Sequence, residues 1–202
     1  STTSAATVAK IKDKLQDFEG MKAVVLAGTG PVGERVSVLM HREGVEVILT
    51  SRKLEKAEGV CNKIKEKYDR NVSPAQISND AECLKVVKDA DIVVATGTAG
   101  VQLMSRNVWS QCPSVKVLAD VNAYPPAGIE GIDGRDDAKE VDGKYLFGAV
   151  AIGDLKTKAM RDVIRKMYEE KGTYMDLERI YDITWESLAV KKERYEKGDK
   201  VA

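Results

Sequence analysis

A glycine motif between a predicted strand and a predicted helix constrains the fold more than any other feature of this sequence. The run Lys22 to Ala27 is apolar, as a buried strand requires, and Val32 to Arg42 carries apolar residues at helical spacing. Between them stands Gly28-Thr29-Gly30-Pro31-Val32-Gly33, a GxGxxG pattern. In this strand–turn–helix context the pattern is typical of a loop that binds the pyrophosphate of a dinucleotide.

Each glycine of the motif has a predicted role. Gly28 permits a tight turn, Gly30 lets the backbone approach a pyrophosphate, and Gly33 lets the helix pack closely on the strand. The helix N-terminus then presents free N–H groups and a favourable dipole to the anion. Pro31 suits the first helical turn, where its missing N–H costs little. The alternative interpretation is a glycine-rich turn with no ligand.

Apolar runs and charged amphipathic stretches alternate along the chain. Further strands are predicted at residues 45–50, 72–77, 91–96, 115–121 and 145–152, and helices at 5–18, 54–68, 80–87, 105–111, 154–171 and 176–197. Strands joined by helices predict a doubly wound, mostly parallel α/β sheet of the Rossmann type. Residues 123–143 contain two prolines and four glycines and are predicted to form a long ordered loop.

We therefore expect one dinucleotide-binding domain over residues 1–202. Its predicted parts are a connecting helix at 1–20, a Rossmann core at 21–153 and C-terminal helices at 154–202.

Composition excludes several classes of protein. Lys plus Arg and Asp plus Glu are 32 each, so the formal net charge is zero and neither a nucleic-acid surface nor a polybasic membrane surface is expected. No apolar run approaches the roughly 18 residues of a membrane span. The cysteines Cys61, Cys83 and Cys112 are far apart, so we expect no disulfide framework, no metal site and a cytoplasmic location. His41 and Cys112 are expected to be structural or surface residues.

The end of the second predicted strand favours NADP over NAD. NAD-specific sites place an acidic residue here to bind the ribose 2′-hydroxyl, whereas this chain has Thr50 followed by Ser51-Arg52-Lys53. Arg52 can bind a 2′-phosphate with its planar guanidinium, Ser51 can donate a hydrogen bond to it, and Lys53 adds charge. The alternative is that Arg52 and Lys53 only begin a charged helix.

Three further segments follow predicted strands and are expected to bind the cofactor. They include Thr96, Gly97, Thr98 and Ala99 after the fourth strand, Asn122 near Asp120 and Tyr124 after the fifth, and Ala149, Ile152 and Gly153 after the sixth. The alternatives are a tight turn for the first segment and a loop capped by Asp120 and fixed by prolines for the second. Lys156 or Lys158 could lie near a substrate, and the alternative is an ordinary solvated helix start for both. Lys156 is the catalytic candidate.

The chain resembles the NADP-dependent methylene-tetrahydromethanopterin dehydrogenases of one-carbon metabolism. The resemblance rests on VVLAGTGPVGERV, ILTSRKLEKAE, DVNAYPPAGIEGID and FGAVAIGDLKTK, and it spans roughly Ser1 to Lys171. The segment Asn122 to Asp133 is its most specific part.

The resemblance implies hydride transfer from the methylene carbon of a pterin substrate to NADP⁺, with a methenyl cation left behind. It implies that Gly28, Gly30, Gly33 and Arg52 bind the cofactor, while 96–100 and 149–153 line its nicotinamide end. We also expect a homo-oligomer.

The family's proteins carry a further N-terminal α/β domain that forms the other wall of the pterin cleft. This sequence begins at what resembles the connecting helix and does not begin with Met, so we expect a fragment or a shortened relative. Two other hypotheses remain open: another dehydrogenase of the wider methylene-tetrahydrofolate and shikimate dehydrogenase group, or a non-catalytic NADP(H)-binding module.

Overall fold

The computed structural model describes residues 2–170, 172 and 174–196, with the backbone alone described for 190–196. The strands are β1 (Lys22–Leu26), β2 (Glu46–Ser51), β3 (Ser73–Gln76), β4 (Ile92–Ala95), β5 (Val117–Asp120), β6 (Asp137–Val141) and β7 (Lys144–Phe147). The helices are α1 (Thr2–Leu15), α2 (Pro31–Arg42), α3 (Leu54–Tyr68), α4 (Asp80–Val87), α5 (Arg106–Trp109), α6 (Ala149–Glu169) and α7 (Leu177–Glu196).

The strands form one sheet in the order β3-β2-β1-β4-β5-β7-β6. Every pair is parallel except β6 and β7, which run antiparallel. The chain moves outward from β1 to β3, then returns to place β4 on the other side of β1. The predicted doubly wound Rossmann-type fold is confirmed, and β1 and β4 form its topological switch point, where ligands of such sheets bind.

Both faces of the sheet are covered by helices. Ala23 and Val25 belong to the hydrophobic cluster that includes side chains from α1, α2, α3, α6 and α7. Val24 and Leu26 point to the opposite face, where a second cluster gathers side chains from α4 and α5 and from the segment around Ile129. Alternation along a strand therefore places apolar residues in two cores. None of the helices in the described ranges has the length and apolar character needed to span a membrane.

The predicted sixth strand at 145–152 is wrong in its second half. Strand β7 ends at Phe147, and α6 begins at Ala149, five residues before the predicted helix start at 154. An apolar run of this length does not distinguish a buried strand from a buried helix. Tertiary contacts decide the outcome, because the carbonyl of Gly134 accepts hydrogen bonds from the N–H groups of Val150 at 2.7 Å and Ala151 at 3.2 Å.

The long loop predicted at 123–143 is also wrong in part, because it contains β6. Asp142 and Gly143 both have positive φ, at 51° and 73°, and they join β6 to β7 as a two-residue hairpin turn. The Asp-Gly pair is a hairpin signal in the sequence. The polar residues of β6 concealed the strand, since it lies at the sheet edge and is mostly exposed.

The remaining predicted elements are confirmed with small shifts at their ends. Helix α1 begins and ends three residues earlier than predicted, while α3 and α4 match their predicted ranges of 54–68 and 80–87. Pro74 lies in β3, an edge strand, where its missing N–H is tolerated. Residues 171 and 197, the predicted ends of the last two helices, lie outside the described residues, as do Ser1 and residues 198–202.

Trp109 provides a test of the second core. Its side chain is 1% exposed, and its indole N–H donates to the carbonyl of Glu130 at 2.8 Å. Trp109→Ala is expected to lower the free energy of unfolding by about 3–5 kcal/mol, because it leaves a large cavity. Trp109→Phe should lose less, since it keeps a ring. Urea unfolding followed by circular dichroism measures both, and an alanine variant as stable as the unmodified chain would contradict this packing.

Candidate functional site

The glycine loop at residues 28–33 joins β1 to α2 at the switch point, and β2 fixes where the loop begins. The N–H of Gly28 donates to the carbonyl of Thr50 at 2.9 Å. The Thr50 hydroxyl accepts from the N–H of Ala27 and donates to the carbonyl of Val25, both at 3.2 Å. Ala27 has a φ of 50°, a conformation that non-glycine residues adopt only when their surroundings hold them there. Thr50 therefore positions the loop, and this role has no signal in the sequence, where Thr50 only marks the end of a strand.

Gly33 is required by the close approach of α2 to the loop. A Cβ atom at Gly33 would lie 2.5 Å from the Cα and carbonyl oxygen of Gly28, and 2.6 Å from the hydroxyl oxygen of Thr96. Real Cβ atoms do not approach backbone atoms this closely. The geometry agrees with the packing role predicted for this glycine.

Gly30 differs from Gly33 because no part of the fold requires it. Its φ of −83° is open to any residue, and no heavy atom lies within 4 Å of the position that a Cβ would take. Gly30 is also the N-cap of α2, and no side chain caps the helix. Side-chain caps typically stabilise a helix by about 1 kcal/mol, so this helix start lacks an ordinary source of stability. The open space and the uncapped N–H groups together fit an approaching anion.

The end of β2 presents a second group suited to an anion. Ser51 is 8% exposed and ends the strand, while Arg52 and Lys53 are exposed. Among the described residues, no hydrogen bond or ion pair engages the Arg52 guanidinium. Beside it lies a cavity of about 180 Å³, walled by residues 77–80 and 101–104. The structure thus places a free guanidinium at the rim of a cavity at the carboxyl ends of the strands.

In the segment after β4, the first two residues pack against the fold and the next two are exposed. The Thr96 hydroxyl is buried and donates to the carbonyl of Leu26 at 3.1 Å, and a Cβ at Gly97 would lie 2.8 Å from a methyl carbon of Leu103. The fold therefore uses the Thr96 side chain and the space at Gly97. Thr98 and Ala99 are exposed and remain accessible to a ligand.

Asp120, at the end of β5, ties down the segment that follows it. Its carboxylate accepts from the N–H of Asn122 at 2.9 Å and from that of Ile129 at 3.1 Å. Burial raises the pKa of Asp120 above its usual range, and the backbone N–H groups of Asn122, Ile129 and Gly128 oppose this shift in the pKa. The Asn122 amide donates to the carbonyl of Thr98 at 3.3 Å. These contacts favour the interpretation in which Asp120 caps the loop.

The start of α6 offers little free backbone. The N–H groups of Val150 and Ala151 are bonded to the carbonyl of Gly134, so a contact with the nicotinamide end of the cofactor cannot use them. Ile152 is 1% exposed and lies in the core, whereas Ala149 and Gly153 are partly exposed.

The two lysines singled out on α6 differ in their surroundings. Lys156 is partly exposed, and its ammonium takes part in none of the hydrogen bonds or ion pairs of the described residues. The ammonium of Lys158 donates to the carbonyl of Ser187 at 2.6 Å and so joins α6 to α7. Only Lys156 therefore remains available to a substrate.

His41 is partly exposed, whereas Cys112 is buried. Burial, followed by the charge of Arg70, lowers the pKa of His41, which lies near the C-terminus of α2. Cys112 is fully buried, and its thiol lies 3.3 Å from the carbonyl oxygen of Val108. In the described part of the chain, no group of three or more His, Cys, Asp or Glu side chains is arranged to hold a metal ion.

Comparisons with known proteins identify relatives and structural neighbours. No protein-family model matches the chain. It is 42% identical over 187 residues to the bifunctional protein MdtA of Methylorubrum extorquens, covering 92% of this chain and 65% of that protein. It is 30% identical over 176 residues to the NAD(P)-dependent methylenetetrahydromethanopterin dehydrogenase of the same organism, covering 83% and 59%. The chain thus spans less than two thirds of the length of either relative.

A solved structure with a similar fold is the ligand-free 5-ketofructose reductase of a Gluconobacter strain. It matches with a TM-score of 0.58 at 16% identity, over 91% of this chain and 62% of that one. At this identity the match supports the Rossmann-type fold alone.

The contrast between Gly30 and Gly33 gives a paired prediction. Gly33→Ala is expected to lower the melting temperature, because its Cβ overlaps backbone atoms of the loop. Gly30→Ala should leave the melting temperature of the free chain within error, because its Cβ enters open space. If that space holds a pyrophosphate, Gly30→Ala should nevertheless weaken NADPH binding at least about tenfold. Unchanged NADPH binding by Gly30→Ala would place the dinucleotide elsewhere.

Thr50 gives a second prediction about the loop. Thr50→Val keeps the shape of the side chain but leaves the N–H of Ala27 without its partner, so the free energy of unfolding should fall by about 1–3 kcal/mol. Thr50→Ser keeps the hydroxyl and serves as the matched control. Denaturant unfolding compares the two variants, and a valine variant at least as stable as the serine variant would refute the positioning role.

Proposed function

The chain belongs to the methylenetetrahydromethanopterin dehydrogenase family, and we propose that it is the NADP-binding part of an oxidoreductase of one-carbon metabolism. The proposed reaction transfers a hydride from methylene-tetrahydromethanopterin to NADP⁺. One observation carries the proposal. The uncapped start of α2 at Gly30 lies at the carboxyl ends of adjacent strands together with Arg52, whose guanidinium has no partner among the described residues.

The two groups divide the recognition of the cofactor between them. The backbone at Gly30 and the first turn of α2 bind the pyrophosphate with N–H groups and the helix dipole. Arg52 binds the 2′-phosphate with its planar fork, and the Ser51 hydroxyl and the Lys53 charge assist it. No acidic residue stands at the end of β2 to accept a hydrogen bond from a 2′-hydroxyl, so NADP is preferred over NAD.

The order of the strands sets the direction of the bound cofactor. Arg52 follows β2, while β4 and β5 lie on the other side of β1. The nicotinamide half then lies beside Thr98, Ala99 and Asn122. When bound, NADP supplies the ring that takes up the hydride.

The proposed hydride transfer requires the side chains of this chain to orient the reactants and not to transfer a proton. A C–H bond of the methylene carbon breaks, both electrons leave with the hydride, and the positive charge spreads over the two flanking nitrogens. No proton is removed, so no general base is required, and the single histidine of the chain needs no catalytic role. The residues of the site contribute by orientation, because holding donor carbon and acceptor ring in contact supplies much of the rate. Lys156 stays the catalytic candidate among the side chains of this chain.

A non-catalytic NADP(H)-binding module is the second candidate function. The module would share the same cofactor contacts and lack turnover.

The cellular setting of the chain is part of the same proposal. We propose one dinucleotide-binding domain, acting in the cytoplasm on a pterin substrate and forming a homo-oligomer. Cys61, Cys83 and Cys112 are buried free thiols, as expected in a reducing compartment.

Turnover separates the enzyme from the module. The chain is incubated with methylene-tetrahydromethanopterin and NADP⁺, and formation of NADPH is followed by absorbance. Steady formation of NADPH supports the dehydrogenase, whereas tight NADPH binding without turnover supports the module. A parallel reaction with methylene-tetrahydrofolate tests the wider dehydrogenase group.

Arg52 tests the cofactor assignment. Arg52→Ala is expected to weaken NADPH binding by roughly 1.5–3 kcal/mol, because it removes a charge-assisted contact. This loss corresponds to about tenfold or more in Kd, and NADH binding should change little. Lys56→Ala, which removes an exposed lysine on α3, is the matched control. Fluorescence titration measures each affinity, and equal losses for NADPH and NADH would disprove the role of Arg52.

A further inference from the structure

An exposed loop tip projects from the carboxyl edge of the sheet, after β5. Residues 123–126 are exposed, and Tyr124 is 68% exposed, so its aromatic ring is open to a ligand. Tyr124 belongs to neither hydrophobic cluster and contributes nothing visible to either core. The fold itself therefore gives no reason for an aromatic ring at this position.

The tip is held firmly despite its exposure. The buried carboxylate of Asp120 binds both ends of the loop, through the N–H groups of Asn122 at 2.9 Å and Ile129 at 3.1 Å. The Asn122 amide oxygen accepts from the N–H of Tyr124 at 3.4 Å. Bonds that fix both ends and the residue next to the ring reduce the entropy lost when the ring binds a ligand.

A neighbouring loop supports the same tip. The N–H groups of Leu103 and Met104 donate to the carbonyl of Gly128 at 2.7 and 3.1 Å, which joins the loop after β4 to the loop after β5. The Tyr124 ring lies beside Gly100, with its Cδ1 atom 3.5 Å from the position of a glycine Cβ. The ring is thus supported on one side and open on the other.

The position of the tip identifies the ligand class. A cofactor with its 2′-phosphate at Arg52 and its pyrophosphate at Gly30 extends toward β4 and β5, which lie beyond β1. Its reactive end then lies near the tip, where the second reactant must also bind. A flat aromatic side chain at that point suits a planar heterocycle, because offset stacking favours two such rings.

We infer that Tyr124 is a substrate-binding residue whose ring stacks on the planar nitrogen heterocycle of the one-carbon carrier. The inference rests on the proposed function and adds a residue and a subsite to it. The face of an aromatic ring also attracts positive charge, so Tyr124 favours the cationic methenyl product relative to the neutral methylene substrate.

The test is calorimetric binding of tetrahydromethanopterin to the chain saturated with NADPH, in which no hydride transfer interferes. Tyr124→Ala is expected to weaken pterin binding at least about fivefold, within the range found when single stacking residues are removed. Tyr124→Phe keeps the ring and should stay within about twofold. Tyr168→Ala is the matched control, because that tyrosine is 79% exposed but lies near the far end of α6.

Other results would overturn the inference while leaving the proposed cofactor site intact. One such result is equal pterin affinity in Tyr124→Ala and the unmodified chain. The others are equal losses of pterin affinity in the alanine and phenylalanine variants, or no pterin binding to the NADPH-saturated chain. A loss of NADPH affinity in Tyr124→Ala would place the ring on the cofactor instead. A chain that binds no NADPH would contradict the proposed function, and with it the inference.

Discussion

The structure depends on how closely helix α2 approaches the end of β1. Gly33 packs against the Cα and carbonyl of Gly28 and against the hydroxyl of Thr96. A Cβ at residue 33 would therefore push the helix away from the sheet. The same contact aims the start of α2 at the switch point between β1 and β4. Packing and binding are therefore linked, because the geometry that buries the inner face of α2 also exposes its first N–H groups. Thr50 completes the arrangement by holding Ala27 in its left-handed conformation.

The fold could be read from the sequence wherever apolar periodicity was unambiguous. Helices α3 and α4 and the buried strands follow from pattern alone, because each element has one apolar face or a short apolar run between turn residues. The sequence pattern predicted the wrong secondary structure where tertiary contacts determine it. Residues 149–152 became a helix because Gly134 accepts two of its N–H groups, and β6 formed at an edge where polar residues are tolerated.

The candidate site was likewise predictable where its signals are local in the sequence. The glycine spacing and the absence of an acidic residue after β2 are local signals, so the roles of Gly30, Gly33 and Arg52 could be proposed without coordinates. Long-range contacts carry no such signal. Thr50 reaches Ala27 from 23 residues away, and Asp120 spans nine residues to bind Ile129. A sequence read along the chain does not reveal which side chain meets which backbone group.

The central claim is that the open start of α2 and the end of β2 together bind NADP, and amide NMR spectra test it most directly. Addition of NADPH is predicted to shift the amide signals of Val32 and Gly33 and those of residues 51–53. NADH at comparable saturation should shift the first group and leave the second nearly unchanged, because it lacks the 2′-phosphate. Shifts confined to other parts of the chain, or identical shifts at 51–53 with both dinucleotides, would contradict the account.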